Sequence, residues 1–331
     1  MEKLHLNLQL FAVNTTLMGT PNDTPNVWGG TGLSAENKTF YDKSLITEAS
    51  AELVHDQFAQ KRPIPKNGGK KIEFRKFGSL PKALTPLTEG VTPDGKNLEV
   101  TSLEAEVAQY GDYITQSDVL ELTSIDNTIV EATKVLGRQA GLTLDTITRN
   151  VLQSGTNVYY CGGGESREAL TDENKLTCDD VKTIAAILKG NNAPKIDGSY
   201  VAIIHPYVAK DLMSDPEWID AHKYATPENI YEGELGKVGG VRFVESTEAK
   251  IYDGGVFGTI FLGANAYGVT EIEGGGLQTI IKQKGSAGTA DPLDQRSSIG
   301  WKAIKTAEIL IDAYIVRAES KSSFSAKAKA N

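Results

Sequence analysis

Two hydrophobic periods alternate along the chain. Ile72 and Phe74, and then Leu98 to Val107, alternate apolar with polar side chains, which predicts two paired strands with one wet face. About twenty residues with neither period lie between them, well beyond the roughly two to five of a hairpin loop. Loops of that length are usually functional or disordered, so this one is a first candidate for contact with another molecule. From Asp126 to Gln153 the period changes. Ile129, Ala132, Leu136, Ala140, Leu144, Ile147 and Val151 recur every three or four positions, with Asp126 suited to the N-cap and Gly155 to the stop. About 28 residues at ~1.5 Å each predict a rod of roughly 42 Å. Gly137 and Gly141 inside it each cost about 1 kcal/mol against alanine, and allow a bend or a close backbone approach.

Upstream, Tyr41, Leu45, Ala49 and Leu53, with Ile46, Val54 and Phe58, form an apolar stripe at helical spacing. Ser34 suits its N-cap, and "RPIP" predicts a stop near Lys61. Residues 12–33 are rich in Gly, Pro, Asn and Thr and predict irregular chain. Leu4, Leu6, Leu8 and Leu10 share one face of an extended segment, which fits a frayed terminus or an arm that adds a strand to a neighbour. Between the two strands and the rod, "QYGDYITQSDVLELT" carries Gly111, which predicts a bend.

The second half reads as α/β. Thr177 and Asp180 form a capping box before "VKTIAAILK". "YVAIIHP" predicts a buried strand, and Pro206 opens a helix at a first-turn position. Asp215-Pro216 repeats that signal before Trp218. "GVRFVES" and "GTIFLGANAYGV" are further strands, and Ile299–Ala318 predicts a closing strand with Ile309, Ile311, Ala313 and Ile315 on one face. The tail "SKSSFSAKAKAN" is small, polar and weakly basic, which predicts mobility.

Composition sharpens this picture modestly. The 331 residues are 40% hydrophobic and 23% charged, an ordinary globular balance of roughly two-domain length. The net charge of −9 argues against a dedicated nucleic-acid binder, but not against a protein that encloses nucleic acid. Cys161 and Cys178 make neither a disulfide framework nor a spaced zinc site, which suits a reducing compartment. No apolar run approaches the ~18 residues of a membrane span.

Chemical motifs are sparse. "GTGLSA" (30–35) fits a dinucleotide fingerprint but follows loop rather than strand, so it reads as a Gly-rich lead into a helix. "NGGKK" lacks the rest of a phosphate loop and reads as a turn before a strand. His5, His55, His205 and His222 show no metal-ligand spacing, and His205 reads as a structural histidine. No G-x-S-x-G elbow occurs. The residues therefore predict no catalytic, cofactor-binding or metal site.

The order of parts, with "LVHDQFAQKRPIPKNGGKKIEFRKF" (53–77), "LTEGVTPDG" (87–95), "QYGDYITQSD" (109–118), "AHKYAT" (221–226), "GVRFVEST" (240–247), "GANAYGV" (263–269) and "GSAGTADPLDQRSSIGWKA" (285–303), resembles the major capsid proteins of tailed bacteriophages, most closely the N4-type family. The resemblance implies an α+β, Hong Kong 97-like capsid fold. It has an N-terminal arm (1–33), an N-terminal helix (34–62), an extended β-hairpin loop or E-loop (63–117), and a P-domain with a long spine helix (118–175). An α/β A-domain (176–284), a P-domain return (285–318) and a flexible tail (319–331) follow. It implies a non-enzymatic shell protein that forms hexamers and pentamers around double-stranded DNA, without sequence-specific binding and without a membrane. A separate scaffolding protein, a portal protein and a decoration protein are the implied partners. The implied location is the virion capsid, assembled in the cytoplasm of a bacterial host. Arg75, Lys76, Lys82, Glu89, Asp94 and Lys96 are the loop residues expected at subunit contacts, and no lysine cross-link is expected. The rival readings are an encapsulin-type nanocompartment shell and a soluble α/β enzyme with a lid loop.

Overall fold

A computed structural model describes residues 44–49, 53–67, 69–77, 80, 82–86, 89–90, 92, 95–123, 128–223, 236–286 and 291–331. Its helices are α1 (44–49), α2 (Asp118–Thr123), α3 (Thr128–Gln153), α4 (Cys178–Gly190), α5 (Pro206–Met213) and α6 (Pro216–Lys223). The first strands are β1 (Gln60–Lys61), β2 (Lys71–Phe77), β3 (Val100–Glu106), β4 (Ala108–Ser117) and β5 (Val158–Tyr160). Then come β6 (Tyr200–Ile204), β7 (Lys237–Val238), β8 (Val241–Glu245), β9 (Ile251–Tyr252) and β10 (Val256–Leu262). The last are β11 (Tyr267–Thr270), β12 (Gln278–Lys282), β13 (Arg296–Ile309) and β14 (Ile315–Ser320). The leucine arm at 4–10 and the Gly30–Ala35 motif lie outside the described residues.

Two compact units divide the chain. The first takes Met1–Glu52, Tyr110–Gly141 and Leu277–Ala303. Within it β12 pairs antiparallel with β13, from Gln278 opposite Lys302 to Lys282 opposite Ser298. Strand β4 also pairs with β13. The bend expected at Gly111 is absent, and β4 continues through it. A Cβ at Gly111 would lie 2.5 Å from the Trp301 carbonyl oxygen, so this glycine serves a close approach of two strands. The buried Trp301 indole donates to Gln139 on α3, whose amide donates in turn to Asp112 on β4.

Gly137 has the same role on α3. A Cβ there would lie 2.8 Å from the Leu45 carbonyl oxygen of α1. Alanine is the better helix former by about 1 kcal/mol, yet the obstacle is rigid backbone. Gly137→Ala is therefore expected to destabilise the subunit by about 1–3 kcal/mol despite the propensity gain. Chemical denaturation checks the sign, and a stabilised variant contradicts the close approach.

The second unit takes Leu53–Gln109, Leu142–Gly276 and Ile304–Asn331. Its larger sheet runs β5-β14-β10-β6-β8-β7, with β9 on β10. Strand β6 lies parallel to β8 and antiparallel to β10, and every residue of β6 and β10 is buried. Burial on both faces accounts for the uninterrupted apolar runs. Val181, Ile184 and Leu188 of α4, with Val208 and Leu212 of α5, pack against Phe257 and Phe261. Leu152 of α3 packs in a second cluster with Ile203, Ile260 and Tyr267.

The local signals hold. Thr177 Oγ1 accepts from the Asp180 amide while the Asp180 carboxylate takes the Thr177 amide, a complete capping box. His205 caps α5, with Pro206 in the first turn. Asp215 Oδ1 accepts the Glu217 amide at the start of α6. Asn67, at φ 68°, makes the turn expected of "NGGKK".

Three further expectations need correction. The N-terminal helix does not reach Lys61: residues 53–59 are non-helical, with a turn at 55–58, and Gln60–Lys61 pairs parallel with β11. The His55 amide and ring are drawn to Asp145 instead of continuing a helix. The closing segment is two strands, because Asp312 turns the chain at Asp312–Tyr314 by accepting from the Thr156 amide and hydroxyl. Strand β13 then pairs with β11, while β14 pairs with β10 and β5. The tail beyond Ser320 is packed rather than loose. Asp211 accepts from both hydroxyls of Ser322 and Ser323, Phe324 stacks on Tyr207 at 4.7 Å, and Asn331 bonds the Ile251 amide.

Candidate functional site

Strands β2 and β3 form a two-stranded antiparallel ladder, from Lys71 opposite Glu106 to Phe77 opposite Val100. Phe74 anchors its base: it is buried, and its ring lies 3.1 Å from where a Cβ on Gly268 would stand. Beyond the ladder the expected long loop is present. All its described residues, 80, 82–86, 89–90, 92 and 95–99, are exposed and lack helix and strand. Leu84 is 83% exposed, and Leu80 and Leu98 are exposed too. A two-stranded ribbon with open edges and exposed leucines is marginal alone and presents unpaired backbone to a partner.

The six expected contact residues spread along this feature. Arg75 is exposed on β2, with its guanidinium 3.4 Å from Glu73. Lys76 sits on β2 opposite Thr101. Lys82 and Lys96 are exposed in the loop, and Glu89 is exposed in a turn with Gly90 at φ 79°. Asp94 lies outside the described residues. Among the described side chains, Arg75, Lys82, Glu89 and Lys96 are all exposed, on a surface rather than in a pocket.

The residues weighed for chemistry are engaged structurally. His205 Nδ1 accepts the Tyr207 amide at 3.1 Å, and the ring packs against Tyr207 and Phe257. Burial pulls its pKa below the ordinary 6.5. Burial pushes the Cys178 thiol up to about 12 and the Cys161 thiol well above its usual value, so neither supplies a thiolate at neutral pH. Among the described residues no group of three or more His, Cys, Asp or Glu could hold a metal ion. No described helix is long and apolar enough to cross a membrane.

Acid is expected to weaken the second unit in two stages. His205 binds its proton less readily folded than unfolded, so stability falls as pH drops below about 6.5 toward its depressed folded value. Burial raises Asp211, but hydrogen bonds from Ser323, Ser322 and Lys210 outweigh it and hold the carboxyl below 3.8. Its contribution is present above that value and lost as pH falls through the folded one. His205→Asn keeps a capping acceptor and removes the first stage. Urea midpoints at about pH 7 and pH 5 should therefore diverge for the parent more than for the variant; equal shifts contradict the assignment.

Sequence reasoning missed a buried charge cluster. His55 Nδ1 lies 2.7 Å from Asp145, and Lys305 Nζ lies 2.5 Å from Asp56 and 2.9 Å from the Leu144 carbonyl oxygen. The Thr148 hydroxyl donates to the other Asp56 oxygen at 2.6 Å. These partners are too far apart in the chain for any local pattern to pair them.

Known proteins share this architecture. A family model described as phage capsid protein matches residues 117–273. The capsid of cyanophage Pam1 superposes with a TM-score of 0.66 at 11% identity, covering 94% of this chain and 99% of that one. The capsid of cyanophage P-SCSP1u gives 0.64 at 14% identity, over 94% and 99%. This is a phage-capsid fold. A virus-like particle from Pyrococcus furiosus also matches, with a TM-score of 0.51 at 12% identity over 86% of this chain and 99% of that one. No curated protein matches the chain. Against the capsid fold, the exposed β2–β3 loop is the feature that takes its place in no core of its own.

Proposed function

We propose that the chain is a structural major capsid protein of a tailed phage, of the N4 type with a Hong Kong 97-like fold. Its copies assemble into hexamers and pentamers of an icosahedral shell around double-stranded DNA. The observation that carries this reading is a capsid fold that accounts for 94% of the chain and nearly all of its cyanophage counterparts. The family match at 117–273 supports it independently of overall shape. Residues 63–117 serve as the E-loop, 118–175 with 285–318 as the P-domain, and 176–284 as the A-domain. Arg75, Lys76, Lys82, Glu89, Asp94 and Lys96 lie at contacts with a neighbouring copy. A separate scaffolding protein guides assembly in the bacterial cytoplasm, and portal and decoration proteins complete the virion. The net charge of −9 suits a container, since a strongly basic wall would grip the packaged duplex.

Sedimentation of the purified chain, alone and with its scaffolding protein, tests the reading. Rings or megadalton shells are expected; a sharply monomeric chain under both conditions overturns it. The virus-like-particle match favours one second reading, a nanocompartment shell that encloses protein instead of DNA. The lumen contents of native particles separate the two.

A further inference from the structure

The "NGGKK" turn carries a chemistry that the shell reading does not use. Asn67 is exposed and lies in the left-handed region at φ 68°. Among the described residues its side-chain amide has no hydrogen-bond partner. Gly68 follows it, the one Asn-Gly pair in the chain. Gly69, at φ 90°, has open space where a Cβ would stand. Other asparagines lack this combination. Asn192 at φ 53° and Asn265 at φ 57° share the left-handed backbone. Both precede buried alanines, Ala193 and Ala266, and the Ala193 amide is spent on the Leu188 carbonyl oxygen at 3.0 Å. Asn157, Asn174 and Asn191 donate their side-chain amides to backbone carbonyls. Asn97 is exposed but precedes a leucine.

We infer that Asn67 is a site of spontaneous backbone rearrangement, where the chain converts its own asparagine to aspartate and isoaspartate. The Gly68 nitrogen, having lost its proton to hydroxide, attacks Cγ of Asn67. The bond from Cγ to the side-chain nitrogen breaks, ammonia leaves and a cyclic imide closes. Water then adds to either imide carbonyl. One opening leaves an ordinary peptide bond and an aspartate. The other leaves the main chain running through the side chain, as isoaspartate. One water is consumed and one ammonia released, with no change of oxidation state. Glycine matters because attack needs close approach to Cγ, which a Cβ on the attacking residue would obstruct. Lys66 and Lys70, both exposed, flank the turn and favour the amide anion and the carboxylate product. Conversion lowers the formal net charge of −9 by one. The change falls outside the β2–β3 ladder, which begins at Lys71 opposite Glu106, with the Val107 amide on the Lys70 carbonyl. The folded subunit therefore accommodates it. The inference is independent of the shell reading.

Purified subunit held at mildly alkaline pH and sampled over weeks tests it, by peptide mapping that resolves isoaspartate from aspartate. Asn67 should convert about ten- to a hundredfold faster than Asn97, Asn192 and Asn265, the usual cost of a misplaced or hindered attack. The rate should rise with hydroxide. Gly68→Ala should slow conversion at Asn67 by a similar factor. Asn67→Gly suits the left-handed backbone and should abolish the main acidic species on ion exchange. Thermal unfolding should be unchanged by conversion.

An intact Asn67 after the other asparagines have converted overturns the inference, and so do equal rates at all four positions. Conversion in Gly68→Ala as fast as in the parent also overturns it. Should Gly68→Ala fold poorly, the comparison among asparagines within the parent chain decides.

Discussion

An Asp56→Ala subunit is expected to be about 3–5 kcal/mol less stable than the parent. The carboxylate holds the Lys305 ammonium at 2.5 Å, and the lysine side chain is only 6% exposed. Burial already pulls the Lys305 amine below its usual pKa, and Asp56 is the main group pulling it back. Alanine leaves that ammonium in the core with the Leu144 carbonyl, and strands the Thr148 hydroxyl. The neighbouring Asp145 carboxylate also acts on Lys305, but it is committed to the His55 amide and ring. Replacing both partners with apolar residues of similar size, Asp56→Leu with Lys305→Met, should recover most of the loss, because no charge is then left unpaired. A urea double-mutant cycle measures this. Additive losses would show that Asp56 and Lys305 act independently.

Replacing loop residues 80–98 with a short Gly-Ser turn is expected to abolish assembly and leave the subunit nearly as stable as before, within about 0.5 kcal/mol. No described residue in that span is buried, and the ladder from Lys71 to Val100 stays anchored through Phe74. Size-exclusion chromatography with a thermal melt reads both quantities. A lid on an enzyme would give the same stable monomer, but its loss would show as lost turnover. Shells that form normally without the loop contradict its role.

Signals confined to one turn of chain were legible in the sequence. Thr177 with Asp180, and His205 with Pro206, cap their helices through bonds spanning two or three residues. The long helix was also legible over Thr128–Gln153, because its apolar stripe repeats over many turns, while the expected cap at Asp126 lies outside the described residues. Features set by distant partners were not. Gly111 looks like a bend until the Trp301 carbonyl is beside it. Residues 53–59 carry a helical stripe, but Asp145 takes the His55 amide and β11 takes the following strand. The tail is polar enough to be mobile, yet Asp211 supplies acceptors that its composition could not announce. At the loop, length and lack of period were legible, whereas the α2 surface was hidden. The exposure of Val119, Leu120 and Leu122 on α2 is set by the fold and by no local pattern.

Electron cryomicroscopy of native particles containing this chain is the most direct test of the capsid assignment. The expected result is a closed icosahedral shell of hexamers and pentamers of this chain, with layered duplex DNA inside. Particles filled with protein instead of DNA, or a chain found only outside any shell, would contradict it.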